Sequence, residues 1–248
     1  MNKQRKTYTT LILAIAGIII FILFLLFIPD MSSNLTNTIP EYPPEMSIVN
    51  TNEALITSAV TIDKNNVKNI ISAMARPKEY FSETQSILSH SSGSATYTRR
   101  RWTKGALSKV ELVSSSSSQT MNYLYTESNV HIWRSGSRTY HTVSKGDFEP
   151  DDAQMMMTYE DILKAEDANI IKAELATRDN TPCILTELKS PHTGYTERYW
   201  VSALTGLLVY GETLDKEGRV IYSITSTQTD IAAQSDEIFT LPDGKSIT

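Results

Sequence analysis

The sequence predicts an α+β protein: an N-terminal transmembrane helix, then one large curved antiparallel sheet covered on one face by a few helices. Three observations lead there. An unbroken apolar run lies near the N-terminus. Two blocks of short runs rich in Thr, Tyr, Val and Trp follow, divided by turn residues. Two short amphipathic helical segments lie before and between those blocks.

The 248 residues are 40% hydrophobic and 21% charged, the balance of a globular chain rather than a disordered one. The net charge of −5 argues against a nucleic-acid-binding surface. Cys183 is the single cysteine, so the chain can build neither an internal disulfide nor a cysteine-rich zinc site.

Residues 1–10 form a basic tail holding Lys3, Arg5 and Lys6. From Leu11 to Ile28 every residue is apolar or glycine, and Pro29 and Asp30 close the run. At a helical rise of about 1.5 Å these residues nearly span the ~30 Å hydrocarbon core. A cleaved signal peptide has a shorter apolar region and a small-x-small cleavage site. The segment 11–29 therefore reads as an uncleaved single-pass anchor. The next basic residue is Lys64, and all acidic residues follow the anchor. This asymmetry predicts a cytoplasmic N-terminus and an extracytoplasmic C-terminal domain in the cell membrane.

Residues 30–62 read as a spacer, rich in Ser, Asn, Thr and Pro at their start. The domain is expected from 63 to 248. Asp63 can cap a helix in which Val67, Ile70, Ile71 and Met74 share one face. The first block of strands is Glu83–His90, Ala95–Lys104, Ser108–Val113, Thr120–Glu127, Val130–Arg134 and Arg138–Val143, with Ser114–Ser118 as a flexible connection. An acidic loop follows at Asp147–Asp152. Thr158 and Asp161 then sit at capping-box spacing before a helix whose apolar face is Tyr159, Ile162 and Leu163. The second block is Ile170–Arg178, Cys183–Ser190, Thr196–Ser202, Leu207–Leu214 and Arg219–Gln228.

The last third carries a family resemblance. Tyr199, Trp200 and Val201 lead to Thr205, Gly206, Leu207 and Leu208, then to Glu212, Asp215 and Gly218. The segment ends on Phe239, Pro242 and Gly244. This order resembles the LolA/LolB/RseB superfamily, the outer-membrane lipoprotein carrier-like fold, over roughly residues 195–244. Ser202 departs from the pattern, standing where an acidic residue is common. The anchor departs as well, because carrier members are soluble or lipid-modified.

The resemblance implies a half-open β-barrel closed by helices, with an apolar hollow for acyl chains. It implies a non-enzymatic, membrane-anchored binding module for a lipid or acylated ligand, with no cofactor. It also implies an alternative: a regulatory or scaffolding partner of an envelope protein such as a cell-wall hydrolase, including a sporulation or germination role, since some tethered relatives in spore-forming bacteria bind a cell-wall amidase. On the aromatic strand residues the hollow would be walled by Tyr97, Tyr123, Tyr125, Tyr199, Val201 and Tyr222.

Other clusters read more plainly. Alternation sends Arg99 and Arg101 to one face of a strand and Arg100 to the other. They can meet phosphate headgroups or glycan carboxylates, but a solvated strand guarded by charge is the simpler expectation. The acidic loop lacks EF-hand order. His90, His131, His141 and His192 show no metal-ligand spacing, so no metal site is expected. Cys183 reads as a buried thiol. No catalytic constellation is visible.

Overall fold

The computed structural model describes residues 48–59, 61–90, 93–115, 119–145 and 156–247. The expected anchor, the first part of the spacer and the acidic loop at 147–152 lie outside the described residues. Among the described residues no helix is long and apolar enough to cross a membrane.

Eleven strands form one antiparallel sheet. In chain order they are β1 (Glu79–His90), β2 (Gly93–Lys104), β3 (Leu107–Ser114), β4 (Thr120–Tyr125), β5 (Asn129–Arg134), β6 (His141–Ser144), β7 (Ile170–Arg178), β8 (Thr181–Lys189), β9 (Thr196–Ser202), β10 (Leu208–Leu214) and β11 (Val220–Asp230). The order across the sheet is β6-β5-β4-β3-β2-β1-β11-β10-β9-β8-β7. Two meanders thus meet where β1 pairs with β11, from Phe81 opposite Asp230 to Leu88 opposite Tyr222. The sheet is open, with β6 and β7 at its edges. Each expected strand is present, and the largest shifts are at β1, which starts four residues earlier, and β6, which starts three later.

Three helices accompany it: α1 (Ile48–Ser58), α2 (Val67–Ala73) and α3 (Tyr159–Lys164). Helix α1 falls inside the stretch expected to be spacer. Asn52 is what joins it to the domain. Its side chain is fully buried. Its amide donates to the carbonyls of Ala75 at 2.9 Å and Leu204 at 2.8 Å, and its oxygen accepts from Ala75 N at 2.7 Å. A polar residue on a weakly amphipathic segment offers no hydrophobic period to read. Before α2, the Asp63 carboxylate accepts from Asn65 N at 2.8 Å, ordering the turn that opens the helix one turn later than expected.

Side-chain alternation gives the sheet two faces. On the inner face Tyr199, Val201, Ile184, Leu188 and Ile224 pack against Val67, Ile70 and Ile71 of α2, Ile162 of α3, and Met156 and Met157. The described part of the crossover from β6 to β7, from Met156 on, therefore packs over this half of the sheet. The expected capping box is made, with the Asp161 carboxylate accepting from Thr158 N at 2.6 Å. Gly211 makes room for the cover, since a Cβ there would sit 2.9 Å from Met157 Sδ.

The outer face is closed differently at its two halves. Over β2–β5, Phe239 and Leu241 of the C-terminal segment pack on Leu124 and Trp133. Over β8–β10, Arg198 lies 3.2 Å from both Glu187 and Glu212, and Tyr210 donates to Glu212 at 2.9 Å.

The turn between β9 and β10 ties the faces to the helices. Ser202 Oγ accepts from the backbone N–H groups of Leu204 and Thr205, both at 3.2 Å. A hydroxyl thus serves the turn. Gly206 has φ +68°, and a Cβ on it would meet the Ala75 carbonyl at 2.9 Å. Arg76 reaches the same turn, donating to Gly206 O at 3.1 Å as well as to Met74 O and Ile71 O at the end of α2. A cation at a helix C-terminus satisfies carbonyls left without a helical partner.

Candidate functional site

Beside the covered core, a cavity of about 250 Å³ opens on the inner face. Its floor comes from β1, β2 and β11: Ser82 and Thr84, Arg99 and Arg101 with Thr103, and Ser226. Register makes these residues neighbours. Ser82 stands opposite Arg101, Thr84 opposite Arg99 on one side and Ser226 on the other. The walls are apolar: Tyr80, Met157, Leu208, Val209 and Ile224.

The rim is built by Arg76 and α3. The Arg76 guanidinium lies 3.7 Å from the centre of the Tyr159 ring, a cation–π stack. Burial pushes the Tyr159 hydroxyl well above its ordinary range. Glu160 borders the cavity from the same turn.

The arginines on β2 correct the expectation of a solvated charged strand. Arg100 behaves as expected, exposed on the outer face and 2.8 Å from Glu83. Arg99 is 8% exposed and Arg101 is half-buried, and both line the cavity. Arg99 Nη1 lies 3.0 Å from Met156 Sδ. Two residues of one parity carry the charge inward, and the residue of the other parity carries it to solvent.

The six residues expected to wall a hollow all lie on this inner face, and none lines the cavity. Tyr199 and Val201 are fully packed under the helices, and Tyr222 packs against the same core. Tyr123 and Tyr125 belong to a separate cluster with Val110 and Val130 on β3–β5. Tyr97 is half-buried two residues before Arg99 on β2. Alternation places Arg99, Arg101 and Thr103 on the same side as Tyr97, so parity alone points from an expected site residue to the charged floor. Tyr80 and Ser82 could not be placed that way, because β1 was expected to begin only at Glu83.

On α3 itself a second polar group is half-buried. Burial raises the Asp161 carboxyl to about 6 despite its bond from Thr158 N, with Glu160 and Glu197 adding to the rise. Tyr199 donates to Glu197 at 2.8 Å, and burial lifts its hydroxyl far above the ordinary range. A carboxyl that is harder to ionise in the fold than at its ordinary value of 3.8 stabilises the fold fully below pH ~4. That contribution fades as pH rises to about 6 and is gone above it. At ~1.4 kcal/mol per pH unit this is at most about 3 kcal/mol, reduced by the remaining exposure. Asp161→Asn, whose oxygen can still accept from Thr158 N, is therefore expected to raise the melting temperature at pH 7.5. It should also flatten the difference between pH 4 and pH 6.5. Melting curves of both proteins across that range check it, and a variant less stable at pH 7.5 would refute it.

Cys183 is fully buried. Its thiol is pushed up to about 11 by burial, as befits a packed rather than a reactive cysteine. Among the described residues no group of three or more His, Cys, Asp or Glu is placed to hold a metal ion.

No protein-family model and no curated protein matches the chain. Among solved structures it is similar to an uncharacterized conserved protein from Thermus thermophilus, at 8% identity and TM-score 0.43 over 74% of this chain and 89% of that one. It is similar to a LolA superfamily protein from Nitrosomonas europaea, at 13% identity and TM-score 0.36 over 73% of this chain and 98% of that one. It is also similar to the MucA/MucB complex of Pseudomonas aeruginosa, at 10% identity and TM-score 0.40 over 69% of this chain and 59% of that one. The group includes the superfamily that residues 195–244 resemble. At these identities and superposition scores no residue's role carries over.

Proposed function

We propose that this protein is a binding module, held at the outer side of the cell membrane by its N-terminal segment, that takes a lipid or acylated ligand on the inner face of its sheet. The observation that carries the reading is the inner-face cavity. It is walled by Tyr80, Met157, Leu208, Val209 and Ile224 and roofed by the crossover between β6 and β7. Apolar walls with a few convergent polar groups are the usual make-up of a small-molecule site. At about 250 Å³ the cavity is smaller than the ~300–1,000 Å³ of most such sites. It holds a head or one stretch of a single chain, and the rest of a longer ligand extends outward.

Gentle purification of the full-length protein from its own membranes, followed by native mass spectrometry, tests this. A stoichiometric acylated molecule that survives detergent exchange is the expected result. A protein that retains none, and binds no added single-chain amphiphile, overturns it.

A second reading is supported by the free edge of the sheet. Strand β7 exposes Ile171 and Leu175, 47% and 53% accessible, along an edge that no other strand pairs among the described residues. Exposed apolar residues on an edge strand are suited to pairing with another chain. In that reading the domain regulates or scaffolds an envelope protein. A stoichiometric protein partner that is lost on Ile171→Lys and Leu175→Lys, with no retained lipid, would favour it over the first.

A further inference from the structure

The cavity floor is not what an acyl chain alone requires. Two guanidinium groups, Arg99 and Arg101, stand among the hydroxyls of Ser82, Thr84, Thr103 and Ser226 on three adjacent strands. Thr84 Oγ1 and Thr103 Oγ1 are buried and have no hydrogen-bond partner among the described residues. The same holds for Ser108 Oγ, directly opposite Thr103 on β3. Ser108 lies one strand beyond the lining, and the two orphans on the floor itself are Thr84 Oγ1 and Thr103 Oγ1. Since buried polar atoms are nearly always paired, these two mark a place where a polar group from outside completes the set. A guanidinium has five donors, enough to serve an added ligand beside contacts within the chain such as that of Arg99 with Met156 Sδ.

Charge selects the kind of group. Planar guanidiniums side by side suit an oxyanion, which accepts two parallel hydrogen bonds from each fork. The third arginine at the site, Arg76, is committed to the carbonyls of Ile71, Met74 and Gly206. Among the described residues lining the cavity, Glu160, on α3 at the rim, is the acidic one, and it lies on the cover rather than on the floor. The apolar walls begin directly beside the floor. Tyr80 is opposite Thr103, and Ile224 lies two residues from Ser226.

We propose that the ligand enters head first as a single-chain amphiphile with an anionic head. A phosphate or carboxylate sits on Arg99 and Arg101 and accepts from the Thr84 and Thr103 hydroxyls. The first carbons of its chain run along Tyr80, Val209, Leu208 and Met157. This rests on the reading of the cavity as an acyl-ligand site and adds the chemistry of the head.

Calorimetric titration of the full-length protein in phosphatidylcholine nanodiscs, against empty-disc blanks, separates the two claims. The probes are octyl phosphate, 1-octanol and inorganic phosphate. Octyl phosphate is expected to bind at least tenfold more tightly than either of the others. Arg101→Gln is expected to weaken octyl phosphate binding at least tenfold and so remove that preference, and Arg101→Lys to restore part of it. Melting curves of each variant confirm that it is folded. Equal binding of octanol and octyl phosphate overturns the anionic head and leaves the acyl site standing. Inorganic phosphate as tight as octyl phosphate would mean a free-anion site and overturn the acyl reading. No binding of any probe overturns both.

Discussion

Asn52→Ala is expected to lower the melting temperature by about 10 °C, one of the two largest effects of a single substitution proposed for this domain. Asn52 is fully buried and makes three hydrogen bonds to the backbone of two distant segments, at Ala75 and Leu204. Alanine leaves one N–H and two carbonyls without their partner. A buried unsatisfied group costs about 1–3 kcal/mol, so the three together cost about 3–5 kcal/mol. In a domain of this size each kcal/mol moves the melting temperature by roughly 2–4 °C.

Asn52→Asp separates hydrogen bonding from packing. It keeps the shape and the acceptor for Ala75 N, but it turns a carboxylate toward two carbonyl oxygens and buries a charge. It is expected to be at least as damaging as alanine. Thermal melts of both variants check the argument, and an aspartate variant as stable as the parent would refute it.

Phe239→Ala is expected to cost about 3–5 kcal/mol, the range for emptying a buried aromatic site. Phe239 is fully buried against Leu124, Trp133 and Leu241, and its carbonyl accepts from Ile247 N at 3.1 Å. It fastens the C-terminal segment over β2–β5, with Lys104 paired to Asp236 and Gln234 N bonded to Glu79 beside it. The loss should be local before it is global. Hydrogen exchange is expected to accelerate first in 231–247 and in β4 and β5, and tryptophan emission to shift red as Trp133 is uncovered. Exchange that accelerates uniformly across β7–β11 would mean that the segment is not an independent cover.

Much of this architecture is legible in the chain. Ile170–Arg178 and Thr196–Ser202 are strands to the residue, because alternation between turn residues is a local signal. The capping box at Thr158 and Asp161 is likewise local. The resemblance over 195–244 rests on residues whose work is visible in the structure: Gly206 under the Ala75 carbonyl and Phe239 in the outer-face core.

Helix α1 was not legible, because what secures it is one buried asparagine whose partners lie 23 and 152 residues away. The charged floor was half legible. Parity separated Arg99 and Arg101 from Arg100 and grouped them with Tyr97. Whether that shared side faced water or a cavity depended on what covered it.

The chain alone determined the period of its strands, the place of its turns, the faces of its side chains and the asymmetry of charge about its apolar N-terminal run. These follow from interactions a few residues long. The tertiary structure decided which face is inner, because that depends on where Met156, Met157 and α3 pack and on the pairing of β1 with β11, whose partners lie more than a hundred residues apart. It also decided that Tyr199 and Val201 are core while Arg99 and Arg101 meet a cavity. Among the described residues the helices pack on one half of the inner face, and the cavity lies beside them.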